Sequence, residues 1–389
     1  MNGPIKILGR RRQRRIDLQL IGFVVCLSAL LAHGGFAEDA PLRVFENVHV
    51  VPLPVKTYGY RSMPGDIVEL RDGRLLLGYT RYDAEGNADG AVAGRYSEDR
   101  GKTWGEEFPL VPAPTPKGPD IYCHPSFLRL PNDQILMSYI YRSSMKPLFG
   151  HTYYRRTADE TATWGDQLIV TPSSGYHIVH NNKLLLLSSG RIIVPVEYQR
   201  RTEGGDHSGY VSYCMYSDDN GYTWWRSDNE VSLLPVETQE PHVVELRDGR
   251  LMMLMRTYSG FVARAFSSDQ GKSWSEGEMV DDLPLPPHNT SALNVTRIPS
   301  TGDLLLIRCT GGPPDPRWRT PMASAISRDD GVTWEQERVV MGDPEEDYGY
   351  PSVTYVDDLA LVSFHKRDGL HVARIGIDWF YGNETGNGG

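Results

Sequence analysis

The feature that most constrains the fold of this chain is a short phrase that recurs along it. Each copy has a Ser or Thr, an Asp two residues later and a closing Trp, and four of the five copies also have a Gly between the Asp and the Trp. Successive Asp residues are 60, 60, 50 and 60 positions apart, and they are Asp99, Asp159, Asp219, Asp269 and Asp329. A fixed period of this length indicates a repeat architecture.

The residues of the phrase are those of a tight turn. An Asp side chain accepts hydrogen bonds from nearby backbone N–H groups, and a Gly two residues later takes a positive φ. The closing Trp offers a large ring that can pack on the adjoining hairpin. We therefore predict that the five Asp residues are structural and not catalytic.

A second pattern alternates with the first and consists of two apolar runs around a turn pair, such as Asp72-Gly73. Its six copies span residues 67–79, 127–139, 183–196, 243–255, 295–307 and 352–364. This pattern is typical of β-hairpins, and long helical periodicity is absent. Six hairpins, five of them followed by a turn phrase, predict an all-β fold, a six-bladed β-propeller. The sixth hairpin has no turn phrase after it, so we expect residues 43–51 to close its blade beside residues 371–379.

The N-terminal segment has the pattern of an export signal. Five Arg residues between positions 10 and 15 precede an apolar stretch over 18–32, and Gly35-Phe36-Ala37 offers a cleavage site. The pattern predicts a signal peptide over residues 1–37 and a single propeller domain over 38–389. The mature protein would be secreted or periplasmic and would have no stable membrane association. An uncleaved membrane anchor is the alternative.

The charge balance excludes some classes of partner. The chain has 40 Lys and Arg against 50 Asp and Glu, a formal net charge of −10. Loss of residues 1–37 removes six basic residues and one acidic residue, which leaves 34 against 49 and a charge of −15. Such a protein is poorly suited to nucleic acid or to an anionic membrane surface. Positive charge at a binding site must come from a few placed Arg residues.

The cysteines and histidines do not form a metal-binding pattern. Cys123, Cys214 and Cys309 are widely spaced, and there is no C-x-x-C motif. We predict that these cysteines are buried small hydrophobes, with one disulfide left possible in an oxidising compartment. The His residues are scattered, so we expect no metal.

The candidate site residues lie next to the hairpins, because one rim of a propeller gathers loops and strand ends from every blade. They are polar or aromatic residues just before or just after a hairpin: Arg61, Arg81, Asp83, Asp89, Glu240, Arg256, Arg317, Arg319, Tyr348 and Tyr350.

These residues give the sequence a resemblance to the sialidase (neuraminidase) superfamily, in which the recurring phrase is called the Asp-box. Tyr60-Arg61-Ser62-Met63-Pro64 is similar to the family's Tyr/Phe-Arg-Ile-Pro segment, with Ser62-Met63 in place of the single Ile. The stretch from Glu240 to Arg256 is similar to the family's Glu-then-Arg segment. Arg319-Thr320-Pro321-Met322 is similar to the segment of the third Arg, and Tyr350-Pro351-Ser352 to that of the nucleophile.

The resemblance implies an exported exo-glycosidase that removes a terminal sialic acid or a related acidic sugar. It implies that Tyr350 is the nucleophile and Glu240 its base. Arg61, Arg256 and Arg319 would bind the sugar carboxylate, with Arg81 as a further substrate-binding candidate and Arg319 preferred to Arg317. The family's acid/base Asp lies after the first hairpin, where Asp83 is slightly preferred to Asp89 and Glu85 is third.

The chemistry of these residue types agrees with that assignment. Arg holds a carboxylate with a planar, permanently charged fork. A neutral Tyr nucleophile avoids repulsion from the substrate's own carboxylate, and sialidases are an exception to the rule of two catalytic carboxylates. Because the ordinary pKa of Tyr is about 10, it needs a base. The expected outcome is hydrolysis with net retention, without a metal or organic cofactor.

Two other functions remain open at this point. The propeller could hydrolyse another acidic or neutral glycan, or it could bind glycans or proteins without catalysis. In the last case Tyr350 and Glu240 would lie too far apart for proton transfer. The sequence does not predict the oligomeric state or the linkage preference.

Overall fold

Six antiparallel sheets make up the fold of the computed structural model, which describes residues 44–115, 118–144, 148–201, 206–286, 291–311 and 319–382. The segment predicted as a signal peptide and Arg317 lie outside these ranges. Within them the only helix is a 3-10 helix, Ile377–Tyr381. None of the helices in the described part of the chain is long and apolar enough to cross a membrane.

The strands follow one another blade by blade, except that the first strand, β1 (Phe45–Pro52), belongs to the last blade. Blades one and two are β2–β5 (Gly65–Glu69, Leu75–Tyr82, Ala88–Ser97, Phe108–Val111) and β6–β9 (Ile121–Arg129, Ile135–Arg142, Gly150–Thr157, Leu168–Ile169). Blade three is β10–β14 (His177–Ile178, Leu185–Leu186, Ile192–Arg201, His207–Ser217, Trp225–Arg226). Blades four and five are β15–β18 (Gln239–Glu245, Leu251–Arg256, Phe261–Ser267, Glu278–Pro284) and β19–β22 (Asn294–Arg297, Leu304–Cys309, Met322–Ser327, Glu335–Met341). Blade six is β23–β25 (Gly349–Val356, Leu359–Lys366, Gly369–Gly376) with β1.

The six-bladed propeller predicted from the sequence is confirmed, as are all six hairpins. Blade three differs from the expected four strands because its innermost strand is broken into β10 and β11, which both pair with β12. Asn182, in the break, has a φ of 54°. Among the innermost strands, β2 contacts both β6 and β23, and β19 contacts both β15 and β23.

The sixth blade closes as expected, with the N-terminal strand as its outer edge. β1 pairs with β25 in an antiparallel register in which Phe45 faces Ile375 and Pro52 faces Gly369. We expected the strand beside β1 to continue through residue 379. This is wrong, since β25 ends at Gly376 and residues 377–379 begin the 3-10 helix. Closure by the two ends of the chain makes the ring a single cooperative unit.

The Asp-boxes are structural turns, as predicted. In the first copy Asp99 accepts hydrogen bonds from Ser97 Oγ at 2.9 Å, from Thr103 N at 2.9 Å and from Thr103 Oγ1 at 2.6 Å. Even the copy without Gly has the same pattern, with Asp159 bonded to Thr157 and Thr163. Trp104 packs against the apolar cluster shared by blades one and six.

The apolar core lies between the faces of neighbouring blades. Leu75 and Leu77 of blade one, for example, pack with Leu359 and Leu361 of blade six. Cys123, Cys214 and Cys309 are buried and unpaired, which confirms that they serve as small hydrophobes. No disulfide joins them.

A buried carboxyl group ties the inner strands together near the axis. Asp66 is fully buried and accepts hydrogen bonds from Ile67 N and Phe127 N, both at 2.8 Å, and from Asn182 Nδ2 at 2.9 Å. Burial raises the pKa of Asp66 to about 7, although these hydrogen bonds oppose the shift. The group links blades one, two and three.

This raised pKa predicts a pH-dependent stability. The folded protein holds the Asp66 proton up to about pH 7, whereas an unfolded chain releases it near pH 4. The contribution is complete below about pH 4 and is lost as the pH rises through about 7. The free energy of unfolding of wild type should therefore fall, relative to Asp66→Asn, by up to about 1.4 kcal/mol per pH unit in that window. Urea unfolding of both proteins at pH 4, 5.5 and 7 measures this, and parallel curves would contradict it.

Candidate active site

A cavity of about 290 Å³ lies where the innermost strands begin. Residues from blades one, two, three, four and six line it, and the titratable ones include Arg61, His124, Arg142, His180, Glu197, Glu240, Arg256 and Tyr350. A larger cavity of about 750 Å³ is lined by the other ends of the innermost strands and by mainly aliphatic residues such as Leu184, Leu185 and Leu186. The concentration of ionisable groups marks the smaller cavity as the candidate active site.

Three lining residues share one unusual backbone position. His124, Glu240 and Tyr350 each precede a proline, and their φ angles are 55°, 48° and 53°. Each lies at an irregularity in the pairing of the innermost strand of blades two, four and six respectively. Non-glycine residues with positive φ are strained, and such strain is concentrated at functional sites. Alternate blades therefore each contribute one pre-proline side chain to the cavity.

Tyr350 and Glu240 are in direct contact. The Tyr350 hydroxyl donates a hydrogen bond of 2.5 Å to Glu240 Oε1, and both residues are buried. The backbone of Tyr350 is held by Ser291 Oγ at 2.9 Å and by Asn181 Nδ2 at 3.0 Å. Glu197 Oε2 in turn accepts a hydrogen bond of 2.9 Å from the backbone N–H of Glu240. The pair is thus fixed in a geometry suited to proton transfer.

The environment sets opposite pKa shifts on the two partners. Burial raises the pKa of Tyr350, and the negative charge of Glu240 raises it further. Burial opposes ionisation of Glu240, but Arg256, His180 and the Tyr350 hydroxyl lower its pKa overall. In the resting site the proton therefore resides on the tyrosine, and the carboxylate is ready to accept it.

Two of the predicted arginines line the cavity and have acidic partners. Arg61 forms a bidentate pair with the buried Asp347, with Nε–Oδ2 and NH2–Oδ1 distances of 2.8 and 2.7 Å. Arg256 NH1 lies 3.2 Å from Glu240 Oε2. The Ser62-Met63 difference from the family segment leaves Arg61 at the cavity, with Ser62 beside it and Met63 buried in the core.

Arg319 lies against the tyrosine but is not among the described residues that line the cavity. Its guanidinium carbon is 5.7 Å from the centroid of the Tyr350 ring. Its Nε and NH1 atoms are buried and make no hydrogen bond within the described part of the chain. Burial lowers the pKa of Arg319, and repulsion from the nearby Arg61 and Arg256 contributes in the same direction. Three cations that converge in this way suit a bound anion.

The structure does not bring every predicted residue to this cavity. Arg81 forms an ion pair with Asp89 at 2.5 Å. Asp83 accepts a hydrogen bond of 2.7 Å from the backbone of Asn87 within its own turn, which lowers its pKa. None of these three, nor Glu85, is among the described residues that line the cavity.

Sequence reasoning missed His124, Arg142 and Glu197, all of which line the cavity. His124 carries the same signal as Glu240 and Tyr350, because it too precedes a proline at the start of an innermost strand. Arg142 ends β7 as Arg256 ends β16, so the rule that selected one could have found the other. Glu197 lies within β12, and its role depends on contacts that no motif shows.

The site offers ligand atoms for a metal cation, but the positive charge of Arg256 beside Glu240 would repel that cation. His180, Glu197 and Glu240 have potential ligand atoms within 4.8 Å of one another. Glu240 already contacts Arg256 and Tyr350. A second group, His49, Asp368 and His371, lies away from this cavity in blade six.

The comparisons with known proteins agree with this fold. A sialidase of Micromonospora viridifaciens is 25% identical over 341 residues, which cover 80% of this chain and 50% of that protein. A sialidase of Bacteroides fragilis is 27% identical over 225 residues, or 56% of this chain and 39% of that protein. This chain therefore spans half or less of the length of these relatives.

Solved structures show the same architecture. The Hadza microbial sialidase Hz136 superposes with a TM-score of 0.66 at 16% identity, covering 83% of this chain and 68% of that one. A protein of unknown function from Dyadobacter fermentans gives 0.64 at 18% identity, covering 85% and 99%. The fold is thus the six-bladed propeller of the sialidase superfamily. The BNR repeat-like domain profile matches residues 61–363, and the chain belongs to that family.

Proposed function

We propose that this protein is a retaining exo-glycosidase that hydrolyses a terminal sialic acid, or a related acidic sugar, from glycans. The observation that carries the proposal is the hydrogen bond of 2.5 Å between the Tyr350 hydroxyl and Glu240, beside three arginines. A buried Tyr hydroxyl that donates to a carboxylate has the arrangement of a nucleophile with its base. The convergent arginines account for a substrate that carries a carboxylate.

Each residue then has a defined role. Arg319, with Arg61 and Arg256, binds the sugar carboxylate and orients the anomeric carbon toward Tyr350. Glu240 accepts the phenolic proton as the Tyr350 oxygen bonds to that carbon, and the leaving group departs with a proton from the acid/base aspartate, for which the sequence offers Asp83 and Asp89. Water then attacks the same carbon from the vacated side and gives a proton to that aspartate, and Tyr350 recovers its own proton from Glu240. Two displacements at one carbon give net retention.

The relatives support the substrate class. The Micromonospora and Bacteroides proteins are named sialidases and are 25% and 27% identical to this chain over part of their length. The local geometry adds to them, because a non-catalytic binding propeller does not need a tyrosine and a carboxylate in direct contact. Export through the predicted signal peptide, residues 1–37, and Asp83 or Asp89 as acid/base are further parts of the proposal.

Turnover of an aryl α-sialoside tests the proposal. We expect the protein to release the fluorescent aglycone, to act much more slowly on neutral aryl glycosides, and to give the α-anomer of the free sugar first, as followed by NMR. Aryl uronides included in the same panel represent other acidic sugars. Turnover of a uronide alone would move the assignment to another acidic glycan. Inactivity of folded protein on every glycoside would refute the proposal.

A further inference from the structure

Three side chains in blade six form a compact group where the ring of blades closes. His49 lies on β1, His371 lies opposite it on β25, and Asp368 lies in the turn between β24 and β25. Each offers one potential ligand atom for a metal ion, and these three atoms lie within 4.8 Å of one another. The sequence did not indicate this group, because His49 and His371 lie near opposite ends of the chain.

The two imidazoles approach the same carboxylate oxygen. Nε2 of His371 lies 2.9 Å from Asp368 Oδ1, and Nε2 of His49 lies 4.0 Å from that oxygen. Zn²⁺ bonds to His nitrogen and Asp oxygen at about 2.0–2.2 Å, which separates the ligand atoms of a tetrahedral site by about 3.3 Å. The two observed distances lie on either side of this value, so small side-chain movements would complete the site.

The two histidines differ in their freedom to move. His371 is buried, whereas the His49 side chain is 36% exposed. Their rings are stacked, with centroids 4.1 Å apart. A metal ion lies in the plane of each imidazole that binds it, so the His49 ring has to turn out of this stack. Its exposure allows the movement and leaves a fourth ligand position to water.

An outer contact holds the buried histidine. The Asn47 amide nitrogen lies 3.1 Å from Nδ1 of His371. Partners of this kind fix the ring orientation and the tautomer of a metal-bound histidine. A side-chain amide has both a donor and an acceptor, so by turning over it can accept the hydrogen that Nδ1 carries when Nε2 binds a metal.

One cation lies close to the group, but its charge is balanced. Lys366 Nζ is 3.5 Å from Oδ2 of Asp368, the other carboxylate oxygen, and 3.4 Å from Glu346 Oε1. Because Glu346 offsets the charge of Lys366, the group keeps the negative charge of Asp368 to attract a metal ion. The active-site cavity differs in this respect, since three arginines converge there.

We propose that His49, Asp368 and His371 bind a divalent cation of the Zn²⁺ type, which ties the first strand to the last blade. Imidazole suits Zn²⁺, whereas Ca²⁺ and Mg²⁺ prefer sites made of oxygen ligands. The ion takes no part in the proposed hydrolysis. The three ligands meet only after β1 has closed the ring, so the ion binds the folded protein in preference to the unfolded chain and stabilises the closure.

Zinc binding by the full-length protein, prepared without a histidine tag, tests the proposal. After treatment with a chelator and dialysis, the protein should bind one Zn²⁺ per chain in a calorimetric titration at pH 7.5. Saturating Zn²⁺ should raise the melting temperature by about 3–6 °C. Co²⁺ should give the visible absorption of a four-coordinate ion, and Ca²⁺ or Mg²⁺ should cause no rise in melting temperature.

His49→Phe is the main variant, because a phenyl ring can remain stacked on His371 but has no ligand nitrogen. It should melt close to metal-free wild type and lose both the Zn²⁺-dependent rise and the Co²⁺ absorption. His207→Phe is the matched control, since His207 is an exposed histidine of blade three that pairs with Glu237 at 2.6 Å. This control should keep one bound ion and the full rise.

Two results would overturn the proposal. One is metal-free wild type that takes up no Zn²⁺. The other is an ion that is retained in His49→Phe but lost in His180→Gln, which would place the binding in the active-site cavity. If His49→Phe does not fold, Asp368→Asn carries the test, with an expected loss of at least about 10-fold in Zn²⁺ affinity. None of these measurements depends on turnover, so they are decided separately from the proposed function.

Discussion

Tyr350→Phe should be a folded protein with almost no turnover of an aryl α-sialoside. The change removes one oxygen, which donates a hydrogen bond of 2.5 Å to the buried Glu240. Without that oxygen no covalent intermediate can form. We expect kcat to fall by about 10⁴-fold, equivalent to about 5 kcal/mol of transition-state stabilisation. Fixed-time assays of aglycone release by wild type and variant at equal concentration measure the loss in kcat. Thermal melting curves of both proteins show whether the variant is folded.

Glu240→Gln provides the matched comparison. If the tyrosine and the glutamate act as one unit, the double variant should be no slower than Tyr350→Phe alone, because groups that act together are strongly non-additive. Losses that multiply in the double variant would instead show that the two residues act independently.

Tyr348→Phe is a suitable control for the Tyr350→Phe variant, since Tyr348 is buried in the apolar core two residues before the nucleophile.

The fold was readable from the sequence because its signals are local. An Asp-box is closed by hydrogen bonds within seven residues, as between Ser97, Asp99 and Thr103, and a hairpin turn is equally short in range. The broken innermost strand of blade three was not predicted, because it depends on the positive φ of Asn182 and on bonds from Asn181 to Gly65 and Tyr350. Such long-range contacts produce no periodic pattern in the sequence.

Only part of the site was predicted from the sequence, because some of its residues lie in recognisable local segments and others depend on long-range contacts. Tyr350, Glu240 and Arg256 lie in segments that resemble a known family, and the structure places them together around one cavity. The loop from Asp83 to Asp89 could not be aligned, and the spacing does not reveal that Asp83 bonds to Asn87 within the loop and Asp89 to Arg81 of β3. His124 was missed because its pre-proline position was not compared between blades, although the comparison needs only the sequence.

The second large effect concerns recognition of the substrate charge. Arg319→Met keeps most of the buried stem and removes a guanidinium whose Nε and NH1 make no hydrogen bond within the described chain. A buried charge pair that loses one partner costs about 2–5 kcal/mol. We expect kcat/KM on the sialoside to fall by about 10² to 10³-fold. On the methyl ester of the same sialoside, which lacks the negative charge, the loss should be below about 10-fold.

Arg308→Met distinguishes a lost contact from a weakened fold. Arg308 is a buried arginine of the same blade that pairs with Glu337 at 2.7 Å, whereas Arg319 lies against the Tyr350 ring. Its removal should lower the melting temperature but leave the acid-to-ester preference at the wild-type ratio. If Arg319→Met also keeps that ratio, Arg319 does not bind the carboxylate. A collapse of the ratio in Arg319→Met alone would mean that the Arg319 guanidinium selects acidic sugars, because Arg308→Met also removes a buried guanidinium from the same blade and keeps the ratio.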